Sequence, residues 1–168
     1  MNQPTFAALE AFPEQLSSLY ESFPLEYRHF APESWEGVPS EPLTAIEQIC
    51  HVLDIEVEGY QVRIKRTLDE WNPALLSLDT EAMARDRQYH SKEAETVLRD
   101  FRCARSETLS LLRTLTIEQL ERPAHFEGYG RVTLRSLVHY LCSHDQQHLS
   151  GLQWLLGKLA GPSITNAA

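Results

Sequence analysis

Cysteine is scarce in this chain, and positive charge is outnumbered. Only Cys50, Cys103 and Cys142 occur, an odd number with no CxxC pair. That pattern offers neither a disulfide framework nor a thiolate zinc knuckle, so reduced thiols are expected. Fifteen Lys and Arg stand against twenty-four Asp and Glu, a formal net charge of −9. A surface of that sign repels polyanions, which argues against nucleic acid as a partner. No stretch of the sequence approaches the roughly 18 uninterrupted apolar residues of a membrane span. The opening MNQPTFAALEAF has no basic segment followed by an apolar one. Together these absences lead to the expectation of a cytoplasmic protein that does not enter a membrane. Internal repeats, low-complexity runs and an alternating strand pattern are missing as well.

What is present is ordinary globular usage, 42% hydrophobic and 23% charged over 168 residues. That is enough for one domain, residues 1–168, to bury its own core. Phe6, Leu9, Phe12, Leu16, Leu19 and Phe23 draw one apolar stripe along a first helix, which Pro13 either begins or kinks and Pro24 ends. Residues 31–42 carry three prolines and a glycine and read as a loop, with Trp35 folding back onto the body of the protein. With Ser40 as N-cap, Ile46, Ile49, Cys50, Leu53, Val57, Tyr60, Ile64 and Leu68 predict a long second helix. The pattern lapses over 71–90, which predicts a long connection or a short irregular helix. A third helix starts at about Ser91 and runs through Ala94, Val97, Leu98, Phe101, Ala104, Thr108, Leu111 and Leu115. A brief turn at 116–119 and a tight glycine loop at 125–131 come next. The last helix is capped by Thr133 and stopped by Gly161-Pro162. Four such stripes bury most simply against one another, so an all-α four-helix bundle is expected.

His144 and His148 lie four apart on that last helix, at the edge of its leucine stripe, so their imidazoles point inward and can share one ion. A bare HxxxH is weak evidence, because two histidines at this spacing also pair with neighbours. Two metal-enzyme patterns fail against it. Asp145 stands where a zincin carries Glu, and residues 149–168 contain no Asp, Glu, His or Cys to serve as a downstream ligand. The same lack removes a His-Asp phosphohydrolase with a later Asp. A third ligand must therefore come from upstream, where His29, His51, His90, His125 and His139 stand with carboxylates and the three cysteines. His139 lies well round the helix from the pair, and His29 and His90 fall in irregular segments. His51 sits off the centre of the second helix's stripe, so periodicity by itself does not select it.

The segments ICHVLDIE at 49–56 and VTLRSLVHYLCSHDQQHL at 132–149 resemble the DinB-like superfamily. FPEQLSSLYESFP, RIKRTLDEWNPALLSLD, FRCARSETLSLLRTL and EQLERPAHFEGYGR fit in order, so the likeness covers most of the chain. It implies a four-helix bundle of the DinB-like type with a divalent metal ion on His51, His144 and His148. Three nitrogen ligands leave a position for water or substrate. Zn, Ni, Fe and Cu all accept imidazole, and nothing in the residues chooses among them. Relatives of this kind include thiol-dependent S-transferases and isomerases. The implied partners are thus a low-molecular-weight thiol and an electrophilic small molecule, with a homodimer as the assembly. The rival expectation is a non-enzymatic, stress-associated metal-binding protein.

Around such a site Asp54 and Asp145 are candidates to accept hydrogen bonds from the ligand histidines. Glu58 and His125 are candidate acid–base groups at the pocket mouth. Each has a plainer alternative as a helix salt-bridge partner or an exposed side chain. Cys50 falls on the apolar stripe and is expected in the core. Two positions depart from the family pattern. Trp35 is set apart from the second helix by EGVPSEPL, and Gly151 stands where glutamine is common.

Overall fold

The computed structural model describes residues 3–161; Pro162, expected to stop the last helix, lies outside them. Its elements are α1 (Gln3–Glu21), α2 (Ala45–Asp54), a π-helical turn (Ile55–Gln61), α3 (Val62–Asp69), β1 (Ala74–Leu75), α4 (Thr80–Asp86), α5 (Ala94–Thr114), α6 (Ile117–Leu120), β2 (Pro123–Phe126), β3 (Gly130–Thr133) and α7 (Leu134–Ala160). α2, the π turn and α3 adjoin without a break and act as one rod. With α1, α5 and α7 this rod makes the expected four-helix bundle. Among the described residues no helix is long and apolar enough to cross a membrane.

α1 continues on both sides of Pro13, so the proline lies inside the helix and does not begin it. Ser17 Oγ donates to the Pro13 carbonyl at 2.9 Å. Leu9, Phe12, Leu16 and Phe23 are buried as the stripe predicted, and Tyr20, outside the stripe, joins them. Trp35 does fold back and stacks on Trp154, with ring centroids 5.9 Å apart. The start of the second helix differs from expectation. Thr44, not Ser40, is the N-cap, with Glu47 Oε2 accepting from Thr44 N at 2.9 Å and Thr44 Oγ1 at 2.7 Å. Ser40 Oγ is instead occupied by Gln48 Nε2 at 2.8 Å.

The π turn changes which residues are buried. It takes more residues per turn than an α-helix and so rotates the helix beyond it about the axis. Val57, expected in the core, is 39% exposed, while Ile55 and Glu56 are buried and the stripe resumes at Tyr60 and Ile64. A second departure concerns strands, since none was expected and 125–131 read as a loop. β2 and β3 pair antiparallel, Ala124 opposite Val132, and β1 adds in parallel on the far side of β2. Gly128 and Gly130, at φ +80° and +76°, supply the left-handed backbone for the tight hairpin. Ala124, Phe126, Val132, Leu75 and Leu137 close into a small core beneath it. Four-residue strands carry only two inward positions each, too few for an alternation to stand out. α5 begins at Ala94 rather than Ser91, because the Glu93 carboxylate caps it by accepting from Glu95 N and Thr96 N.

Candidate metal centre

α2 and α7 face each other across the bundle, and their shared interface carries all three expected histidines. His51 is buried on α2, His148 is buried on α7, and His144 lies one turn before it, partly covered. Their Nε2 atoms converge, with His51 to His144 at 3.1 Å and His148 to His144 at 3.0 Å. One ligand atom from each lies within 4.8 Å of the others. Bonds of about 2.0–2.1 Å from one ion to imidazole nitrogens put those nitrogens roughly 3 Å apart, so the spacing suits a shared cation.

Gln48 decides which nitrogen of His148 is free. It is fully buried on α2, one turn before His51. Its Nε2 donates to Ser40 Oγ at 2.8 Å and the Leu43 carbonyl at 3.3 Å, so its Oε1 is the acceptor that His148 Nδ1–H meets. The proton on Nδ1 leaves a lone pair on Nε2, aimed at the other two imidazoles. Burial pushes the pKa of His51, His144 and His148 below the usual imidazole value. For His144 and His148 the neighbouring imidazoles add to that, and for His51 the Glu41 carboxylate opposes it. Three imidazoles held below their usual pKa, with their Nε2 atoms converging, form a donor set that fits a divalent ion.

Gly151 has its reason here. A Cβ at this position would lie 2.3 Å from Ser40 Oγ and 2.9 Å from Gln48 Nε2. The absent side chain is what lets the Ser40–Gln48 pair sit against His148.

The remaining expected residues are placed differently. Asp54 does not reach the triad: Tyr89 donates a short hydrogen bond to its Oδ2, and Arg87 Nη1 pairs with it at 2.8 Å. Glu58 is the other anchor of Arg87, at 2.7 Å, on the surface. Asp145 is buried, but it serves Arg105 rather than a histidine, at 2.7 Å, with Glu56 on the other side of the same guanidinium at 2.9 Å. Burial pushes the Asp145 carboxyl up to about 7, with Arg105 opposing it. His125 lies on the exposed side of β2, in register with Arg131. His139 meets Thr5 Oγ1 at 3.2 Å, on another side of α7. Cys50 is core, and burial pushes its thiol up to about 12, far from a nucleophile's range. The histidines therefore come together while Asp54, Glu58 and His125 stand apart from them.

Sequence reasoning missed Gln48, Glu41, Arg105 and Glu56. Gln48 was within reach, since a polar residue three before a ligand on the same helix shares its face. Glu41 lies in a loop and carried no periodic signal, whereas Glu56, seven residues after Ile49, shares the buried face of that helix and was passed over.

The family model described as the DinB superfamily matches residues 8–151. Among solved structures the chain is similar to YfiT from Bacillus subtilis, described as a probable metal-dependent hydrolase with an unusual four-helix bundle topology. The TM-score is 0.81 at 20% identity, over 95% of this chain and 90% of that one. At that identity the likeness is one of fold. No curated protein matches the sequence.

Proposed function

Because this chain belongs to the DinB superfamily, we propose that it is a divalent-metal-dependent enzyme that transfers a low-molecular-weight thiol onto an electrophilic small molecule. The observation that carries the reading is the convergence of three imidazole nitrogens, with His144 Nε2 3.1 Å from that of His51 and 3.0 Å from that of His148. When bound, a divalent ion supplies the positive charge that stabilises a thiolate near neutral pH. The chain does the rest. His51, His144 and His148 present neutral lone pairs, Gln48 locks the tautomer of one of them, and burial keeps bulk water from competing for the site. The thiol gives its proton to solvent, its sulfur forms a bond to an electrophilic carbon, and the leaving group departs with the electron pair. A cytoplasmic location and a homodimer belong to the same proposal, the second checked by light scattering on a sizing column.

The rival chemistry is hydrolysis, the class in the description of YfiT, with water as the nucleophile at the same position. The test begins with elemental analysis of protein prepared without an affinity tag, beside a His144→Ala, His148→Ala variant. About one ion per chain, lost in the variant, is expected for a one-metal site. The loaded protein is then given small thiols with an activated aryl halide, and separately an activated ester without thiol. Thiol consumption that disappears in the variant supports the transferase. Ester cleavage without thiol consumption makes it a hydrolase.

A further inference from the structure

Glu41 stands at the mouth of the triad with its side chain 42% exposed. Its Oε2 lies 3.4 Å from His148 Nε2 and its Oε1 3.8 Å from His51 Nε2. The two carboxylate oxygens thus face two different imidazoles. His148 has committed its Nδ1 proton to Gln48, so its Nε2 is an acceptor looking at another acceptor. Two lone pairs held face to face repel unless a cation lies between them. Among the described residues Glu41 forms no ion pair with Lys or Arg that would otherwise explain its orientation.

The loop that carries Glu41 is tied to the same machinery. Gln48 Nε2 reaches the Leu43 carbonyl at 3.3 Å and the Glu41 carbonyl at 3.5 Å, while its other end holds His148. One buried amide therefore sets both the histidine and the loop. At its far end the loop is pinned by Trp35 stacking on Trp154 of α7.

We infer that Glu41 supplies a carboxylate oxygen as a fourth protein ligand, from a loop that closes over the three histidines. The inference rests on the reading of the triad as a metal site, and it leaves a position for a thiol only on an ion that takes five or more ligands. It is tested on the full chain reconstituted with Co(II), comparing wild type, Glu41→Gln, Glu41→Ala and the His144→Ala, His148→Ala variant. Two quantities are read: affinity, by competition with a chromophoric chelator, and the visible absorption bands of the bound Co(II). Both Glu41 variants are expected to bind about 10-fold or more weakly, and with shifted bands, as a ligand from the chain is lost. Far-UV circular dichroism checks that they remain folded. Bands unchanged from wild type and affinity within twofold overturn the role of Glu41. In that case loss of binding in the double-histidine variant shows that the triad reading survives. Failure of wild type to take up cobalt or zinc overturns the triad reading, and the Glu41 inference with it.

Discussion

Arg105 grips Asp145 through both terminal nitrogens, at 2.7 and 2.9 Å, with each side chain only 1% exposed, and Asp145 is the residue next to His144. Glu56 takes the Nε and Nη2 of the same guanidinium, at 3.1 and 2.9 Å, and Nη1 also donates to the Leu9 carbonyl at 3.1 Å. One cation thus joins α1, the π turn and α7 at a single point just behind the metal centre.

Replacing Arg105 by Met keeps the bulk and removes the charge, leaving two buried carboxylates unpaired. Breaking a buried pair from one side costs about 3–5 kcal/mol, and for a domain of this size each kcal/mol moves the melting temperature by roughly 2–4 °C. A drop of about 10 °C is therefore expected in thermal unfolding followed by circular dichroism. Arg105→Lys is expected to recover only part of it, since an ammonium cannot make both two-pronged contacts. A melting temperature within 2 °C or so of wild type for the Met variant contradicts the account.

Gly151→Ala inserts a methyl group into the Ser40–Gln48 contact. Alanine gains about 1 kcal/mol of helix propensity over glycine, whereas overpacking costs about 1–3 kcal/mol. Stability is thus expected to stay level or fall slightly. Metal affinity, which depends on Gln48 holding His148, is expected to fall more clearly. Chelator competition beside a thermal melt separates the two effects, and an unchanged affinity means that Gln48 does not need this space.

Gln48→Leu keeps the volume and removes the acceptor for His148 Nδ1–H. Loss of such a partner usually lowers metal affinity about 10–100-fold. Isothermal titration of the metal-free variant is the measurement, and equal affinity would show that Gln48 does not set the His148 tautomer.

The metal-free protein is expected to lose stability in mild acid. Imidazoles of the unfolded chain titrate near about 6.5, while burial holds those of His51, His144 and His148 lower in the folded state. Their folded pKa is depressed, so below about 6.5 the unfolded chain takes up protons that the folded one refuses. Stability present at neutral pH is lost progressively as the pH falls from there. Melts of chelator-treated protein between pH 8 and 5 should show this slope, and a variant with all three histidines replaced by alanine should flatten it. Equal slopes in the two proteins would refute the assignment.

Much of the bundle was legible because long amphipathic helices repeat their signal. The stripe of Leu9, Phe12 and Leu16, or of Leu134, Leu137, Val138 and Leu141, points to one buried face several times over. His144 and His148 were legible for the same reason, since a spacing of four on one helix places them together whatever the rest of the chain does. His51 was not chosen by periodicity, because its partners lie 93 and 97 residues away in sequence. The family resemblance singled it out, and the packing of α2 against α7 brings its Nε2 to the other two. Asp54 and Glu58 share its side of the sequence pattern, yet Arg87 and Tyr89, from the segment without periodicity, draw them elsewhere.

The helical segments and the HxxxH pair could be read without the fold, because both arise from local geometry that each helix carries alone. The π turn, the short strands, the Arg105 network and the approach of Glu41 and Gln48 to the histidines came from tertiary structure. Each of those depends on groups far apart in the chain meeting in a dry interior, where an unpaired charge or lone pair is costly. No local pattern records which distant group will meet that need.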